Sequence, residues 1–488
     1  MEKNTRSSSS TGEKPKQYAL TLGRIMVTAL LVSAVVLVAL PGSMRAQIEL
    51  QTSYRTATFG AGTSPSAAKV GDLDGDGLND IAVVNLQGSL QLFFNNGAGS
   101  FNRVSLNGLW PSSSSTLGVD IGDLNRDGRN DIAVAFSTQT GSVSVLLNQG
   151  NRVFGAPTNY NLCGASRGVA IADLDRDGDN DLADISICSR AGILLNNGQG
   201  GFVFSGAYGS GNASKSIAIA DFNSDGFKDI VYVNKAVDVN GNITVILNNG
   251  NGTFGSPMWF YAGDLPDDVT AGDFDGEGTT DVAIANSYYS QIIVLLNDRA
   301  GSFTHGYIEI TNVDTPTSIA SADFNGDGRL DLAVASQGTN RLAVLINQGD
   351  YNFVGPTFGT GQTPVDVAAG DLDGDGKPDL VAVNQGGGSI TVLFSAGGTT
   401  QPPPPPPPAQ ISLTLSTQTT RTARLVNLSW SGATSSSVDL YRNGSRITTV
   451  SNTGSYTDRL GRRTTGTFKY KVCAAGGQTC SNEATISF

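Results

Sequence analysis

One histidine, His305, stands in 488 residues, and its rarity removes much of enzyme chemistry. A Ser-His-Asp triad or a His-rich metal centre needs more than a lone imidazole beside an apolar strand. No phosphate-binding loop or H-E-x-x-H occurs, although a Lys- or Tyr-based lyase stays open. Cysteine is scarce: four residues, none in a C-x-x-C pair that would suggest zinc or thiol redox chemistry. Cys163 and Cys188 lie close in the chain, as do Cys473 and Cys480, so two local disulfides and an oxidising compartment are expected. Positive charge is thin over residues 47–400, with 16 Lys and Arg against 38 Asp and Glu. That balance argues against nucleic acid and anionic lipid and points toward cations.

Long apolar runs are missing too, with one exception, the 16 residues from Ile25 to Leu40. A membrane span needs about 20. Lys3, Arg6, Lys14, Lys16 and Arg24 precede the run, and small residues follow it up to Ala46. Residues 1–46 therefore read as an export signal or, because the leading segment is long, an uncleaved membrane anchor. Either way the rest of the chain lies outside the cytoplasm, and any contact with a membrane runs through this segment.

Glycine is abundant, 61 residues, and much of it sits in one repeated turn. "DLDGDGLND" begins at Asp72 and returns as "DLNRDGRND", "DLDRDGDND", "DFNSDGFKD", "DFDGEGTTD", "DFNGDGRLD" and "DLDGDGKPD", at intervals of 48 to 52 residues. An apolar strand precedes each loop and another follows it. A third strand, such as "SVSVLLNQG", ends in an Asn/Gly turn, the strongest short hairpin signal. A fourth opens on an aromatic: Phe101, Phe154, Phe202, Phe254, Phe303 or Phe353. Four strands per period of about 50 residues, seven times over, predict an all-β fold, a seven-bladed β-propeller over 47–398. The seventh unit lacks its aromatic strand, and "YRTATFGAGTSP" from Tyr54 matches "FVGPTFGTGQTP" from Phe353. The first strand should therefore complete the last blade and close the ring.

The loops and the stretch Phe154–Gly155–Ala156–Pro157, with its variants at Phe254 and Phe353, resemble the FG-GAP repeats of integrin α-subunit propellers and their bacterial VCBS-type relatives. The resemblance implies a propeller, usually extracellular, with calcium in the loops between first and second strands. It implies no single activity, since such propellers occur in adhesion receptors, in lectins and beside enzymes.

Carboxylates at positions one, three, five and nine of a tight loop suit calcium, which takes six to eight oxygen ligands. The candidate ligands are Asp72, Asp74, Asp76 and Asp80; Asp123, Asn125, Asp127 and Asp131; and Asp173, Asp175, Asp177 and Asp181. They continue with Asp221, Asn223, Asp225 and Asp229; Asp273, Asp275, Glu277 and Asp281; Asp323, Asn325, Asp327 and Asp331; and Asp371, Asp373, Asp375 and Asp379. Up to seven ions are expected, bracing the fold. Position twelve is Val83 in the first copy, where an EF-hand needs Glu.

Strand order puts these loops and the Asn/Gly turns on one face. The more variable loops share the other, and there Trp110, Tyr160, Tyr208, Tyr261, Tyr288 and Tyr289 are candidate contacts for an extracellular protein or glycan. Packing between blades is the competing role for each. A binding or adhesion protein without catalysis is the leading expectation; a lectin or a polysaccharide-active enzyme is the alternative.

Seven prolines in residues 399–410 form a stiff spacer of roughly 20 Å. Residues 411–488 alternate in short strands around Trp430 and resemble a fibronectin type III or immunoglobulin-like β-sandwich, with Cys473 and Cys480 stapling its last hairpin.

Overall fold

The protein is described by a computed structural model. It describes residues 54–488 except 98, 111–114, 138–141, 163, 187–189, 210–213, 235–241, 264, 304, 311–312, 396–410, 421, 432, 434, 436, 476–479 and 482. The leader, the polyproline spacer and the Cys163–Cys188 pair thus fall wholly or partly outside the described residues. Among the described residues no helix is long and apolar enough to cross a membrane.

The chain divides into two compact units, the larger including Phe101–Gly397 and the smaller Gly398–Phe488. In the larger unit each repeat folds into its own antiparallel blade of four strands, taken in chain order. The first blade runs Pro65–Gly71, Asp80–Asn85, Ser89–Asn95 and Phe101–Leu106. The seventh runs Pro364–Gly370, Asp379–Asn384 and Ser389–Ser395, and Tyr54–Gly60 completes it in register from Tyr54↔Ser395 to Gly60↔Ser389. Ring closure by the first strand is thereby observed.

Burial explains the composition of the strands. Second strands such as Asp80–Asn85 and Asp281–Asn286 are buried along their whole length, because neighbouring blades cover both faces. They are accordingly apolar without alternation. Fourth strands lie at the rim and alternate, as Met258–Tyr261 does. The core is spread between blades: Leu90, Leu92 and Phe94 of the first blade meet Val119, Ile132 and Val134 of the second.

The aromatics expected to open fourth strands do so plainly at Phe101 and Phe202, whereas Phe303 stands before His305–Ile310 and Phe353 lies in a short strand, Phe353–Val354, separate from Thr357–Gly359. Phe154 and Phe254 form isolated bridges to Asn148 and Asn248, and the strands begin later, at Thr158 and Met258. Pro157 and Pro257 intervene, and proline has no N–H for the ladder.

A side-chain link joins successive blades. Asn148 at the end of a third strand donates through Nδ2 to the carbonyl of Leu73 in the preceding loop, 2.8 Å away. Asn95 reaches Leu372, Asn196 reaches Leu124, Asn248 reaches Leu174, Asn297 reaches Phe222 and Asn347 reaches Phe274. At the seam the corresponding residue is Ser395, too short to span the gap, and its Oγ is buried without a partner.

The smaller unit is a sandwich. One sheet holds Ser412–Thr419, Ala423–Ser431 and Ser455–Gly461; the other holds Ser445–Ser451, Ser437–Arg442, Thr467–Ala474 and Ala484–Ser487. Trp430 is buried and donates through Nε1 to Asn452 at 2.8 Å. Asp458 of one sheet accepts from Tyr470 (2.8 Å) and Arg442 (2.6 Å) of the other. Cys473 and Cys480 form the expected disulfide.

Restoring the missing link should strengthen the ring. Ser395→Asn offers two hydrogen bonds at the seam, to the carbonyls of Phe324 and Pro378, and should add about 1–2 kcal/mol in urea unfolding. A lower unfolding midpoint would show that the seam has no room for the amide.

Candidate functional site

Each nonapeptide turns through left-handed residues at positions four and six, for example Gly75 (φ 79°) and Gly77 (φ 86°). Glycine adopts that conformation without strain, and Arg126, Arg176 and Ser224 adopt it at position four of their loops. The turn aims the position-one carboxylate inward, where Asp72 accepts the N–H groups of Gly75 (2.7 Å) and Gly77 (3.0 Å).

Position nine has a role that its place in a ligand pattern does not announce. Asp80 accepts the N–H of Leu73 on Oδ2 (2.8 Å) and the N–H of Asn95 on Oδ1 (2.7 Å). The same two bonds recur at Asp131, Asp181, Asp229, Asp281, Asp331 and Asp379. Each aspartate ties its loop to the end of the third strand. Burial is the largest influence on these carboxyls, with neighbouring carboxylates adding to it. Together they push Asp80, Asp181, Asp331 and Asp379 up to about 7, against the backbone hydrogen bonds. Asp131, Asp229 and Asp281 rise to about 6.

The loops alternate in character. Among the described residues, oxygens of Asp72, Asp74 and Asp80 lie within 4.8 Å of one another, as do those of Asp173, Asp175 and Asp181, of Asp273, Asp275 and Asp281, and of Asp371, Asp373 and Asp379. These loops gather positions one, three and nine, while position five falls outside the triads. In the second, fourth and sixth loops Asn125, Asn223 and Asn325 instead donate to the position-five carboxylates of Asp127, Asp225 and Asp327. Arginine also enters: Arg129 pairs with Asp127, Arg329 with Asp327, and Arg152 reaches Asp74 at 2.6 Å. The four all-carboxylate triads can hold metal ions. The seventh loop fits best, because Asp373 Oδ1 and Asp375 Oδ2 are buried with no hydrogen-bond partner, and two such oxygens suit a hard cation.

On the opposite face the aromatic candidates divide. Trp110 is a correction: it is 4% exposed, packs near Phe136 and donates to Ser144 Oγ at 2.7 Å. Its indole fills the gap between two blades. Tyr160 and Tyr208 are partly buried against Phe202 and Phe254, so they also serve packing. Tyr261, Tyr288 and Tyr289 are 48%, 63% and 52% exposed, and Trp259, absent from the sequence-based set, is 53% exposed. The alternation of "MWFY" puts Trp259 and Tyr261 on one outward side and was the available signal.

First strands line an axial channel of about 530 Å³. Inside it Lys69 pairs with Asp120 at 3.0 Å. Ser318 Oγ stands 2.6 Å from Asp268 Oδ2 and 2.9 Å from Asp366 Oδ1. One hydroxyl hydrogen serves a single acceptor, so the second contact calls for a proton on a carboxyl. Depth inside the ring, then the charge of Asp268, pushes Asp366 up to about 6.

Residues 72–134, 123–183, 221–284, 278–334 and 323–382 match the FG-GAP-like repeat, more than half of the chain. Crystal structures of BBS1N in complex with ARL6DN are similar in fold. The mercury-soaked one shares 12% identity at a TM-score of 0.53, covering 71% of this chain and 98% of that one. The lead-soaked one gives 12%, 0.50 and the same coverage. No curated protein matches the sequence.

Two predictions follow from this geometry. Asp175→Asn reproduces what three loops already carry and should fold normally in EDTA. Asp181→Asn puts an amide N–H against a backbone N–H and should cost about 1–3 kcal/mol even in EDTA; equal losses by chemical denaturation would contradict the knot. Asp366 holds its proton better folded than unfolded, so its favourable contribution is complete below pH 3.8 and is lost as pH rises through about 6. Lys69, Asp120 and Asp268 face the same channel. Asp366→Asn can donate to Ser318 Oγ, and it should gain stability relative to wild type between pH 4.5 and pH 7. A constant difference in melting temperature across that range would refute it.

Proposed function

Because the chain belongs to the FG-GAP-like repeat family, we propose that it is an extracytoplasmic binding or adhesion protein whose loops hold calcium as structural braces. The observation that carries this reading is a division of labour between faces. Carboxylate triads occupy one end of the ring, while exposed Tyr261, Tyr288 and Tyr289 and an open cavity occupy the other. Tyrosine gives contact area and a polar tip at low entropic cost, which suits a binding surface for an extracellular protein or glycan. With one histidine and its carboxylates committed to loops and knots, the chain supports binding rather than catalysis. The carboxy-terminal sandwich is assigned to the fibronectin type III or immunoglobulin-like class.

Calcium suits the all-oxygen donor set and the variable loops; magnesium asks for near-octahedral geometry. Extracellular modules hold calcium at about 10⁻⁴ to 10⁻³ M. At roughly millimolar calcium that stabilises by about 0.4–1.4 kcal/mol per site. Four to seven sites then contribute an amount comparable with the stability of an ordinary domain.

Chelation with EDTA should lower the melting temperature markedly, and calcium should restore it better than magnesium. An unchanged melting curve would remove calcium from the scaffold. The double variant Tyr288→Ala, Tyr289→Ala should keep that curve and lose capture on an array of extracellular proteins and glycans. Undiminished capture would move the ligand surface elsewhere.

A further inference from the structure

Every first strand carries a β-bulge at one register. Ladder pairing jumps between Pro65 and Ala67, Thr116 and Gly118, Ser166 and Gly168, Pro266 and Asp268, Pro316 and Ser318, and Pro364 and Asp366. The skipped residue always lies six positions before its metal loop: Ser66, Leu117, Arg167, Asp267, Thr317 and Val365. The fourth blade has its irregularity between Ser214 and Ile217, with Lys215 at the equivalent position. A bulge re-aims one side chain without breaking the sheet. Here six of them line both the axial channel and a separate outer cavity of about 360 Å³, and they are the residues common to the two. The bulges therefore form a collar between shaft and mouth, on the face away from the metal loops.

The collar is electrically uneven. Asp267 is engaged by Ser287. Arg167 is not so matched: its Nε is buried without a hydrogen-bond partner. A guanidinium facing a cavity in that state favours a carboxylate, whose two oxygens fit its parallel N–H groups. Around it the hydroxyls of Ser66, Ser287, Thr315 and Thr317 give their hydrogens to protein oxygens and keep lone pairs that accept, while the amides of Gln337 and Gln385 both donate and accept. Such groups suit vicinal hydroxyls. Deeper in the shaft lie Asp120, Asp268 and Asp366, which repel a second anion and stop an acidic group at the collar. The mouth also has the volume of a small-ligand site.

We propose that the mouth of the channel binds an acidic sugar end-on, its carboxylate on Arg167 and its hydroxyls on the collar and the surrounding turns. The proposal rests on the reading that the face opposite the metal loops is the binding face.

Isothermal titration of the full chain in calcium tests it with three probes: glucuronate, glucuronamide, which keeps the ring without the charge, and N-acetylglycine, a carboxylate without hydroxyls. Glucuronate should bind, and the other two at least tenfold more weakly. Arg167→Gln should weaken glucuronate at least tenfold, Arg167→Lys should recover part of it, and both variants should melt like wild type. Equal binding of glucuronamide, or no effect of Arg167→Gln, would overturn the carboxylate contact, and equal binding of N-acetylglycine would overturn the sugar. Loss of glucuronate binding in Tyr288→Ala, Tyr289→Ala would place the sugar on the outer aromatics. Tyrosine-dependent array capture with no glucuronate binding would refute the collar site and leave the binding-face reading standing.

Discussion

Seven buried aspartates, one at the end of each loop, hold the ring together. A carboxylate is acceptor-only with room for several donors, so Asp80 can take one backbone N–H from its own loop and another from the third strand. In six of the seven repeats the residue that supplies the second N–H then sends its side-chain amide to the neighbouring blade, as Asn148 does to Leu73. Blade geometry and blade-to-blade spacing therefore pass through one side chain per repeat. That side chain is costly to keep charged, since burial works against ionisation. A cation held in the loop would relieve the conflict, so metal binding and fold would answer a single electrostatic requirement.

Much of this was legible in the sequence because the repeat supplied its own controls. Any one loop is ambiguous; seven with the same offset fix strand number, period and the completing strand Tyr54–Gly60. What stayed hidden was side-chain direction outside regular strands. Trp110 and Tyr288 both sit in glycine- or serine-rich connections, yet one fills a slot between blades and the other stands in solvent. Period-two and period-3.6 patterns carry no information there. The asparagine ending six third strands was visible as a turn signal. Its Nδ2 bond to the next blade was not, because that partner lies more than 70 residues away. The position-five carboxylates show a subtler limit: spacing predicts ligands, but the triads close on positions one, three and nine.

The two faces obey constraints of different kinds. Position nine is Asp in all seven repeats because two backbone groups depend on its oxygens. Six residues before each loop, the bulged position is Ser, Leu, Arg, Lys, Asp, Thr and Val in turn. Six of these residues line the channel and its mouth, and the residue skipped by the ladder leaves the sheet independent of its side-chain chemistry. A repeated scaffold can break its own symmetry cheaply only at such places. The bulge converts a sevenfold backbone into an asymmetric ring of side chains, and the unmatched Arg167 is where that asymmetry becomes chemical. The acidic loops lie at the other end of the ring, while Asp267 in the collar and Asp120, Asp268 and Asp366 in the shaft are the negative groups against which a contact at Arg167 has to act.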